Sequence, residues 1–253
     1  MEALGKRLLE DLELALPSFE ATKLIAVGAE AALFLGRFHG LLVVAKYRYP
    51  KLYRARELDV ELRKRRTTKE AKLLTRALSC GVAAPVPVLV DKESGLLVME
   101  YVEGPRLKEV LDRGDANVQE VFRTIGVYVG RLHEAGIVHG DLTTSNVILS
   151  PGGPVLIDFG LGDFIAEDEA RGVDLHLFLR ALESTHPSLA GELFEEVMKG
   201  YEEVRGSEAR ISIESKVREI RMRGRYVAER RKKLLKGSQV RWGGLYEEEQ
   251  REG

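Results

Sequence analysis

The segment from His139 to Gly160 constrains this chain more than any other part of its sequence. It reads HGDLTTSNVILS, a short turn and VLIDFG, which predicts a β-hairpin with polar residues at both ends. Asp141 stands five positions before Asn146, and Asp158 follows the second strand. Carboxylate and amide oxygens are hard ligands that suit Mg²⁺ better than zinc. The spacing therefore predicts Asn146 and Asp158 as metal ligands and Asp141 as a proton acceptor; the alternative is a plain hairpin with polar turns.

Composition excludes several classes of protein. The chain has 253 residues, of which 44% are hydrophobic and 31% charged, as expected of a soluble folded protein. Its one cysteine, Cys80, excludes an internal disulfide and a multi-cysteine metal site. The opening segment MEALGKRLLEDLELAL is too acidic for a signal peptide, and no apolar run is long enough to cross a bilayer. The default expectation is a cytosolic protein without a membrane partner.

The net charge of −1 conceals two basic segments. Residues 46–76 hold 12 Lys and Arg against 4 Asp and Glu, and residues 216–241 hold 11 against 2. Such segments on an otherwise acidic chain predict contact with a polyanion or an acidic protein. Solvated helix faces are the alternative for either segment taken alone.

The first hundred residues predict mainly strands. Three apolar runs between Thr22 and Arg48 are separated by a turn at Gly28-Ala29-Glu30 and another at His39-Gly40, a pattern typical of an antiparallel meander. Helices are predicted over 56–64 and 68–79. The runs PVPVLVD and GLLVMEYV predict two further strands.

The rest of the chain predicts mainly helices. Apolar residues recur at helical spacing from Val118 to Leu132, and Gly136 follows as a stop signal. After the hairpin, helices are predicted over 173–183, 190–204 and 214–235.

This order of elements and motifs resembles the protein-kinase fold over nearly the whole chain. The resemblance implies an α+β, bilobal protein-kinase-like domain with a five-stranded antiparallel N-lobe sheet (residues 1–103) and a reduced helical C-lobe (104–236). The last residues, 237–253, show no clear period, which predicts a flexible tail. The resemblance also implies ATP and Mg²⁺ as cofactors. Asp141 would be the general base.

Residues of the N-lobe carry over onto the family's nucleotide site. Lys46, in VVAKYR, matches the lysine that neutralises the α- and β-phosphates. Glu70 would be its ion-pair partner, with Glu61 as the less favoured substitute. The sequence from Thr67 to Glu70 also fits a capping box at a helix start, which is the alternative for Glu70.

The backbone of the nucleotide site also carries over. The turn Gly28-Ala29-Glu30 stands where the family has its glycine-rich loop, so it would face the phosphates with reduced backbone cover and an added carboxylate. Glu100 and Val102 occupy the positions whose backbone groups bind adenine.

Other departures argue against a regulated protein kinase. Gly140 replaces the arginine that reads a phosphorylated activation loop. Asp174 stands only 14 positions after Gly160, and the APE motif is missing. The family counterpart of Asp174 anchors the catalytic-loop backbone, although the residue also fits an acid at the start of a helix.

Five segments of the sequence carry a more specific resemblance: GAEA, HGDLTTSNVIL, DFGLGDF, the N-lobe run from VAKYRYP to TKEAKLL and the basic run KVREIRMRGR. Together they closely resemble the small atypical Ser/Thr kinase subunit of the KEOPS complex. That complex makes threonylcarbamoyladenosine in tRNA. The resemblance implies an enzyme that acts mainly as an ATPase. Its partners would be the threonylcarbamoyl-transferase subunit and other KEOPS subunits.

Direct contact with tRNA would use phosphate contacts from the two basic segments, 46–76 and 216–241. The cations singled out for it are the cluster 63–66 and Arg218, Arg221, Arg223 and Arg225. The alternative functions are a small-molecule phosphotransferase of the aminoglycoside or choline type and a nucleotide-binding scaffold without significant catalysis.

Overall fold

The computed structural model of this chain describes residues 2–114, 118–165 and 167–248, and it describes side chains only as far as Arg223. Its elements in chain order are α1 (Glu2–Ala15), β1 (Phe19–Val27), β2 (Ala32–Phe38), β3 (Leu41–Tyr47), α2 (Arg56–Ser79), β4 (Pro87–Asp91), β5 (Leu96–Glu100), α3 (Leu107–Asp112), α4 (Gln119–Glu134), β6 (Ile137–Val138), β7 (Val147–Ser150), β8 (Gly153–Leu156), β9 (Asp163–Phe164), α5 (Asp168–Thr185) and α6 (Ala190–Glu248).

The first five strands form one antiparallel sheet in the order β1-β2-β3-β5-β4. Buried side chains on one face of the sheet alternate with more exposed side chains on the other, as in β2, where Phe34 is 1% exposed. Helix α1 contributes Leu8 and Leu12 to the same apolar cluster, and Leu16, the residue after the helix, joins them. These leucines recur every four residues, so one stripe of the helix covers the sheet.

Helix α2 is one continuous helix of 24 residues, whereas the sequence predicts two. No glycine or proline interrupts it, and Thr67 lies completely buried in its middle rather than at a cap. The capping-box alternative for Thr67 to Glu70 is therefore wrong. The helix carries Glu70, which is 1% exposed, into the protein interior beside the sheet.

The helical region packs around α4, whose apolar face is buried with α5 and α6 in the larger core. Helix α4 crosses α6 at close range: a Cβ atom on Gly126 would lie 2.0 Å from the Val197 carbonyl oxygen, and one on Gly200 would lie 1.9 Å from that of Arg123. Glycine is thus required at this crossing. Helix α6 kinks at Gly206, whose φ of 79° is non-helical.

Two further sheets, each of two short strands, lie between the five-stranded sheet and the helical region in chain order. Strands β7 and β8 form the predicted hairpin, and β6 pairs with β9. The segment between β5 and α3 contains the predicted boundary at residues 103 and 104. Helix α6 continues through residues 237–248 of the predicted tail, and residues 249–253 lie outside the described part of the chain. Within the described residues, no helix combines the length and the apolar character needed to cross a membrane.

Candidate active site

The Lys46 side chain lies at the centre of the site. β3 carries it into the interior, where it is 8% exposed. Its Nζ donates to Glu70 Oε1 at 2.8 Å and to Asp158 Oδ1 at 2.7 Å. The structure thus brings together three residues that are 24 and 112 positions apart in sequence. Glu61, the substitute candidate, is exposed on the same helix, and Glu70 forms the ion pair.

Arg48 is a further member of this cluster, and the sequence gives little indication of it. It lies two residues beyond Lys46, is 4% exposed and pairs through Nη2 with Glu70 Oε2. Each Glu70 oxygen therefore has its own cation. The signal available in the sequence is that Lys46 and Arg48 alternate with Tyr47, so that both side chains fall on one face of the strand.

Asp158 sits in a left-handed backbone conformation, with φ 62° and ψ 69°. Its Oδ1 also accepts a hydrogen bond from the Gly160 amide at 3.2 Å, which closes the turn. Burial raises the pKa of Asp158, but the charge and hydrogen bond of Lys46, together with the hydrogen bond from the Gly160 amide, hold the pKa below its ordinary value. The carboxylate is consequently ionised and available to a cation.

Asp141 and Asn146 are joined by the loop that precedes β7. The Asn146 amide donates from Nδ2 to the Asp141 carbonyl oxygen at 2.8 Å and to Asp141 Oδ2 at 2.9 Å. Because both hydrogen bonds use the amide nitrogen, the Asn146 amide oxygen is left for another ligand. The five-residue spacing places the Asp141 carboxylate and this oxygen side by side.

Buried groups beneath the loop fix its backbone. Asp174 Oδ2 accepts from the His139 amide and Oδ1 from the Gly140 amide, both at 2.8 Å. Helix α5 begins at Asp168, so Asp174 is not the acid at a helix start. Burial raises the pKa of Asp174, but the hydrogen bond from His133 and the nearby charges lower it below its ordinary value. The carboxylate is thus an ionised anchor for the loop.

His139 also braces the loop from within. It is completely buried and packs against the Phe159 ring at 4.5 Å between centroids. Nε2 lies 3.1 Å from the Ile157 carbonyl oxygen, and Nδ1 lies 3.4 Å from the Asp141 amide nitrogen. Because a carbonyl only accepts, the proton is on Nε2. Burial lowers the pKa of His139, which keeps the ring neutral and suits a structural role.

A cleft of about 630 Å³ opens beside Lys46, towards the turn between β1 and β2. Its walls include the turn at Gly28, Ala29 and Glu30, together with Asp141 and Asp158. The Glu30 carboxylate pairs with Arg66 and with Arg54, the latter at 3.0 Å. This turn therefore lies beside the predicted phosphate region with its carboxylate already neutralised.

A second cavity of about 340 Å³ adjoins the first at Lys46 and Asp158. Glu100, Val102 and Asn146 line it, with apolar side chains such as Met99 and Ile157. Within the described part of the chain, the Val102 amide donates no hydrogen bond. The apolar side chains of this cavity, such as Met99 and Ile157, form a slot beside the free Val102 amide, which we call the apolar slot. Its shape and its backbone donor fit a flat heteroaromatic ring.

The predicted basic clusters are mostly neutralised by neighbouring carboxylates. Arg63 pairs with Asp59, Lys64 with Glu93 and Arg66 with Glu30. In the second segment, Arg218, Arg221 and Arg223 pair with Glu214, Glu183 and Glu169. The Arg225 side chain and those after it lie outside the described residues.

A different basic surface lies along α2 and the turn after β4. We call it the α2 basic face: Arg65, Lys72, Arg76 and Lys92, all exposed. No carboxylate among the described residues pairs with any of the four. These cations line two adjoining grooves, together with the hydroxyls of Thr68 and Thr75.

Comparison with known proteins identifies the family of this chain. The family model for the RIO domain matches residues 44–171. The chain is 50% identical to the KEOPS complex subunit Bud32 of Pyrococcus abyssi, over 81% of this chain and 96% of that protein. It is 40% identical to a probable serine/threonine-protein kinase BUD32 homolog of Archaeoglobus fulgidus, over 73% of this chain and 89% of that protein.

Longer relatives also match. A probable bifunctional tRNA threonylcarbamoyladenosine biosynthesis protein of Methanothermobacter thermautotrophicus is 44% identical over 80% of this chain, which covers only 36% of that relative.

The fold is shared with a solved structure, the Rio2 kinase-ADP/Mg²⁺-phosphoaspartate complex from Chaetomium thermophilum. The TM-score is 0.57 at 15% identity, over 83% of this chain and 74% of that one. The α+β protein-kinase-like fold expected from the sequence is confirmed. This chain belongs to the Bud32 family of RIO-domain proteins.

Proposed function

We propose that this chain is an ATP- and Mg²⁺-dependent atypical Ser/Thr kinase that acts mainly as an ATPase. One observation carries the proposal: two cavities adjoin at Lys46 and Asp158, the first also lined by Asp141, and the second by Asn146 and by apolar side chains such as Met99 and Ile157. This arrangement suits a nucleotide whose phosphates meet the charged groups while its base enters the apolar slot. Relatives described as Bud32 and as a serine/threonine-protein kinase homolog support the same activity. They do not favour a small-molecule phosphotransferase or an inactive scaffold.

In this proposal the reaction is transfer of the γ-phosphoryl group to water or to a hydroxyl. The attacking oxygen forms a bond to phosphorus, the bond from phosphorus to the β-phosphate oxygen breaks, and ADP leaves with that electron pair. The Asp141 carboxylate orients the attacking oxygen and accepts its proton. The Asn146 amide holds that carboxylate in place at 2.9 Å. The Lys46 ammonium stabilises negative charge that develops on the phosphates.

The residues present fit a magnesium ion. The Asn146 amide oxygen and the Asp158 carboxylate are hard oxygen donors beside the same cavity, and Asp158 is ionised. These two residues would hold Mg²⁺, which when bound would neutralise phosphate charge. Lys46 and the Gly160 amide both donate to Oδ1 of Asp158, so Oδ2 accepts no hydrogen bond from the described residues.

Replacement of Asp158 by alanine tests this assignment. The variant should bind adenosine but lose Mg²⁺-dependent ATP turnover, because one of two proposed metal ligands is gone. Met99, Val102 and Ile157 of the apolar slot are unchanged in it. Normal ATP hydrolysis by a folded Asp158→Ala protein would refute the metal assignment.

The biological setting we propose is the KEOPS complex and the threonylcarbamoyladenosine modification of tRNA. The proposal rests on the relatives described as a KEOPS subunit and as tRNA threonylcarbamoyladenosine biosynthesis proteins. The partners would be the threonylcarbamoyl-transferase subunit and other KEOPS subunits. Affinity purification of the tagged chain from its native cell tests this setting. Recovery of no tRNA-modification subunit would contradict it.

Contact with tRNA, if direct, is best placed on the α2 basic face. Its four cations are exposed and carry no carboxylate partner among the described residues, unlike Arg63 or Arg221. Phosphate contacts of this kind are salt-dependent and carry no sequence information. A triple Arg65→Gln, Lys72→Gln, Arg76→Gln variant should bind tRNA more weakly with a shallower salt dependence. Lys199→Gln, whose ammonium pairs with Glu196 on α6, is the control.

A further inference from the structure

The loop between β1 and β2 offers less to a phosphate than a glycine-rich loop does. The Gly28 amide donates to the Ala31 carbonyl oxygen at 2.8 Å, and the Gly28 carbonyl oxygen accepts from the Tyr49 hydroxyl at 2.9 Å. A phosphate-binding loop works through free backbone amides that point at the ligand. Because the Gly28 amide is committed within the turn, this glycine offers no donor to a phosphate, and cationic side chains of the cleft are additional donors.

Arg66 is placed to supply those donors. It lies on α2 one turn before Glu70, and residues four apart share a helix face. It therefore lines the same cleft as Lys46, Asp141 and Asp158. Its side chain is 38% exposed and pairs through Nη1 with Glu30 Oε2.

The three cations of this cleft differ in how firmly they are held. Lys46 is buried between Glu70 and Asp158, and Arg48 is buried against Glu70. Arg66 instead pairs with Glu30, whose side chain is 41% exposed. Exposed ion pairs contribute little net stability, so Arg66 can change partners at low cost. A phosphate offers more charge than a carboxylate and matches the planar guanidinium with two parallel hydrogen bonds.

We infer that Arg66 binds the terminal phosphates of the nucleotide and supplies a charged donor beside a turn that lacks a glycine-rich loop. Glu30 competes with the phosphates for the Arg66 guanidinium. The inference rests on the proposed function, in which this cleft binds ATP. It gives the Glu30 of the GAEA turn a defined role, and it assigns Arg66 to nucleotide binding instead of to an RNA-binding cluster.

Calorimetric titration with ATP, ADP and adenosine in the presence of Mg²⁺ tests the inference. Arg66→Gln should weaken ATP binding about tenfold, the range of one lost charge-assisted contact, and ADP binding less. Adenosine binding should not change, because the apolar slot is untouched. Arg66→Lys should recover part of the lost ATP affinity, which a role in packing alone would not produce.

Variants of Glu30 and Arg54 separate an effect on phosphate binding from an effect on the conformation of the β1–β2 turn. Glu30→Gln should tighten ATP binding, because it removes the competing carboxylate. Arg54 also pairs with Glu30 but does not line the cleft, so Arg54→Gln should weaken ATP binding less than Arg66→Gln does.

Three results would overturn the inference: unchanged ATP affinity in Arg66→Gln, an equal loss of ATP and adenosine in that variant, or a loss in Glu30→Gln as large as that in Arg66→Gln. Failure of the wild-type protein to bind ATP at all would instead refute the proposed function, and the inference with it.

Discussion

Gly140 shows how tightly a single residue is constrained in the catalytic loop. Its φ is +78°, and a Cβ atom at this position would lie 2.3 Å from the Leu161 carbonyl oxygen. An arginine, which ordinary protein kinases have here, would meet that backbone. The loss of a cation that reads a phosphorylated loop, expected from the sequence, thus has a steric cause. The segment after Asp158 passes directly over Gly140 and occupies that space.

Replacement of Gly140 by alanine should destabilise the protein. The left-handed backbone alone costs about 1–2 kcal/mol for a residue with a Cβ atom, and the contact with Leu161 adds to it. Gly136→Ala is the matched control, because its φ is +71° and its Cβ would meet no described atom within 4 Å. Urea unfolding measures both. Equal losses of unfolding free energy in the two variants would show that the Leu161 contact carries no cost.

His139 should make the stability of the protein depend on pH. Burial lowers its pKa in the folded state, against the nearby carboxylates of Asp174, Asp158 and Asp141 and the Ile157 carbonyl. The unfolded chain therefore binds a proton first as pH falls below about 6.5. Its stabilising effect is complete above that pH and is lost as pH falls towards the lower, folded pKa.

For one proton the slope cannot exceed about 1.4 kcal/mol per pH unit. Chemical unfolding of the wild type between pH 7.5 and 5.5 should show stability falling with pH, and His139→Gln should show a smaller fall. An unchanged pH dependence in that variant would contradict the assignment to His139.

At the scale of elements, α2 connects the sheet to the catalytic turn. One face of it packs its apolar residues into the core, and Glu70 on that side holds Lys46 of β3, which in turn holds Asp158. Lys69, the preceding residue, reaches Asp163 of β9 at 3.2 Å. A single unbroken helix therefore sets the distance between Lys46 and the turn at Asp158.

Replacement of Glu70 by glutamine should be strongly destabilising. It leaves the buried Lys46 and Arg48 without their shared carboxylate, a change that costs about 3–5 kcal/mol for buried ion pairs. Glu61→Gln, at an exposed position of the same helix, should change unfolding free energy by less than about 0.5 kcal/mol. Denaturant unfolding and ATP turnover of both variants check this. A Glu70→Gln protein as stable as Glu61→Gln would show that Glu70 does not hold the cluster.

At the scale of the whole molecule, the sequence predicts the order of elements well because local patterns determine them. Strands β1 to β5, the β7–β8 hairpin and helices α4 and α5 lie where apolar periodicity and glycine turns place them. The division of α2 into two helices is wrong: the Thr67 to Glu70 pattern resembles a cap, but Glu70 is bound by Lys46 of β3 and by Arg48, which follows that strand. Those contacts join distant residues, so no local pattern reports them.

The remaining differences have similar causes. Helix α1 is absent from the sequence prediction, although its leucines recur at four-residue spacing, because only packing on the sheet gives that stripe a partner. The charge counts of the basic segments contain no information about which carboxylates face them. Tertiary ion pairs neutralise most of the residues singled out there and leave the α2 basic face. The roles of the individual site residues, and the domain boundaries, stay predictions.

Single-turnover hydrolysis of ATP by the wild type and by Asp141→Asn tests the central claim most directly, namely that this cleft transfers a phosphoryl group. Loss of a general base lowers rates by about 10²–10⁴-fold, and the asparagine amide keeps the size of the side chain it replaces. We expect the wild type to hydrolyse bound ATP and the variant to lose at least about 100-fold in rate while its ATP affinity is retained. Hydrolysis by Asp141→Asn at the wild-type rate, with ATP fully bound, would contradict the claim.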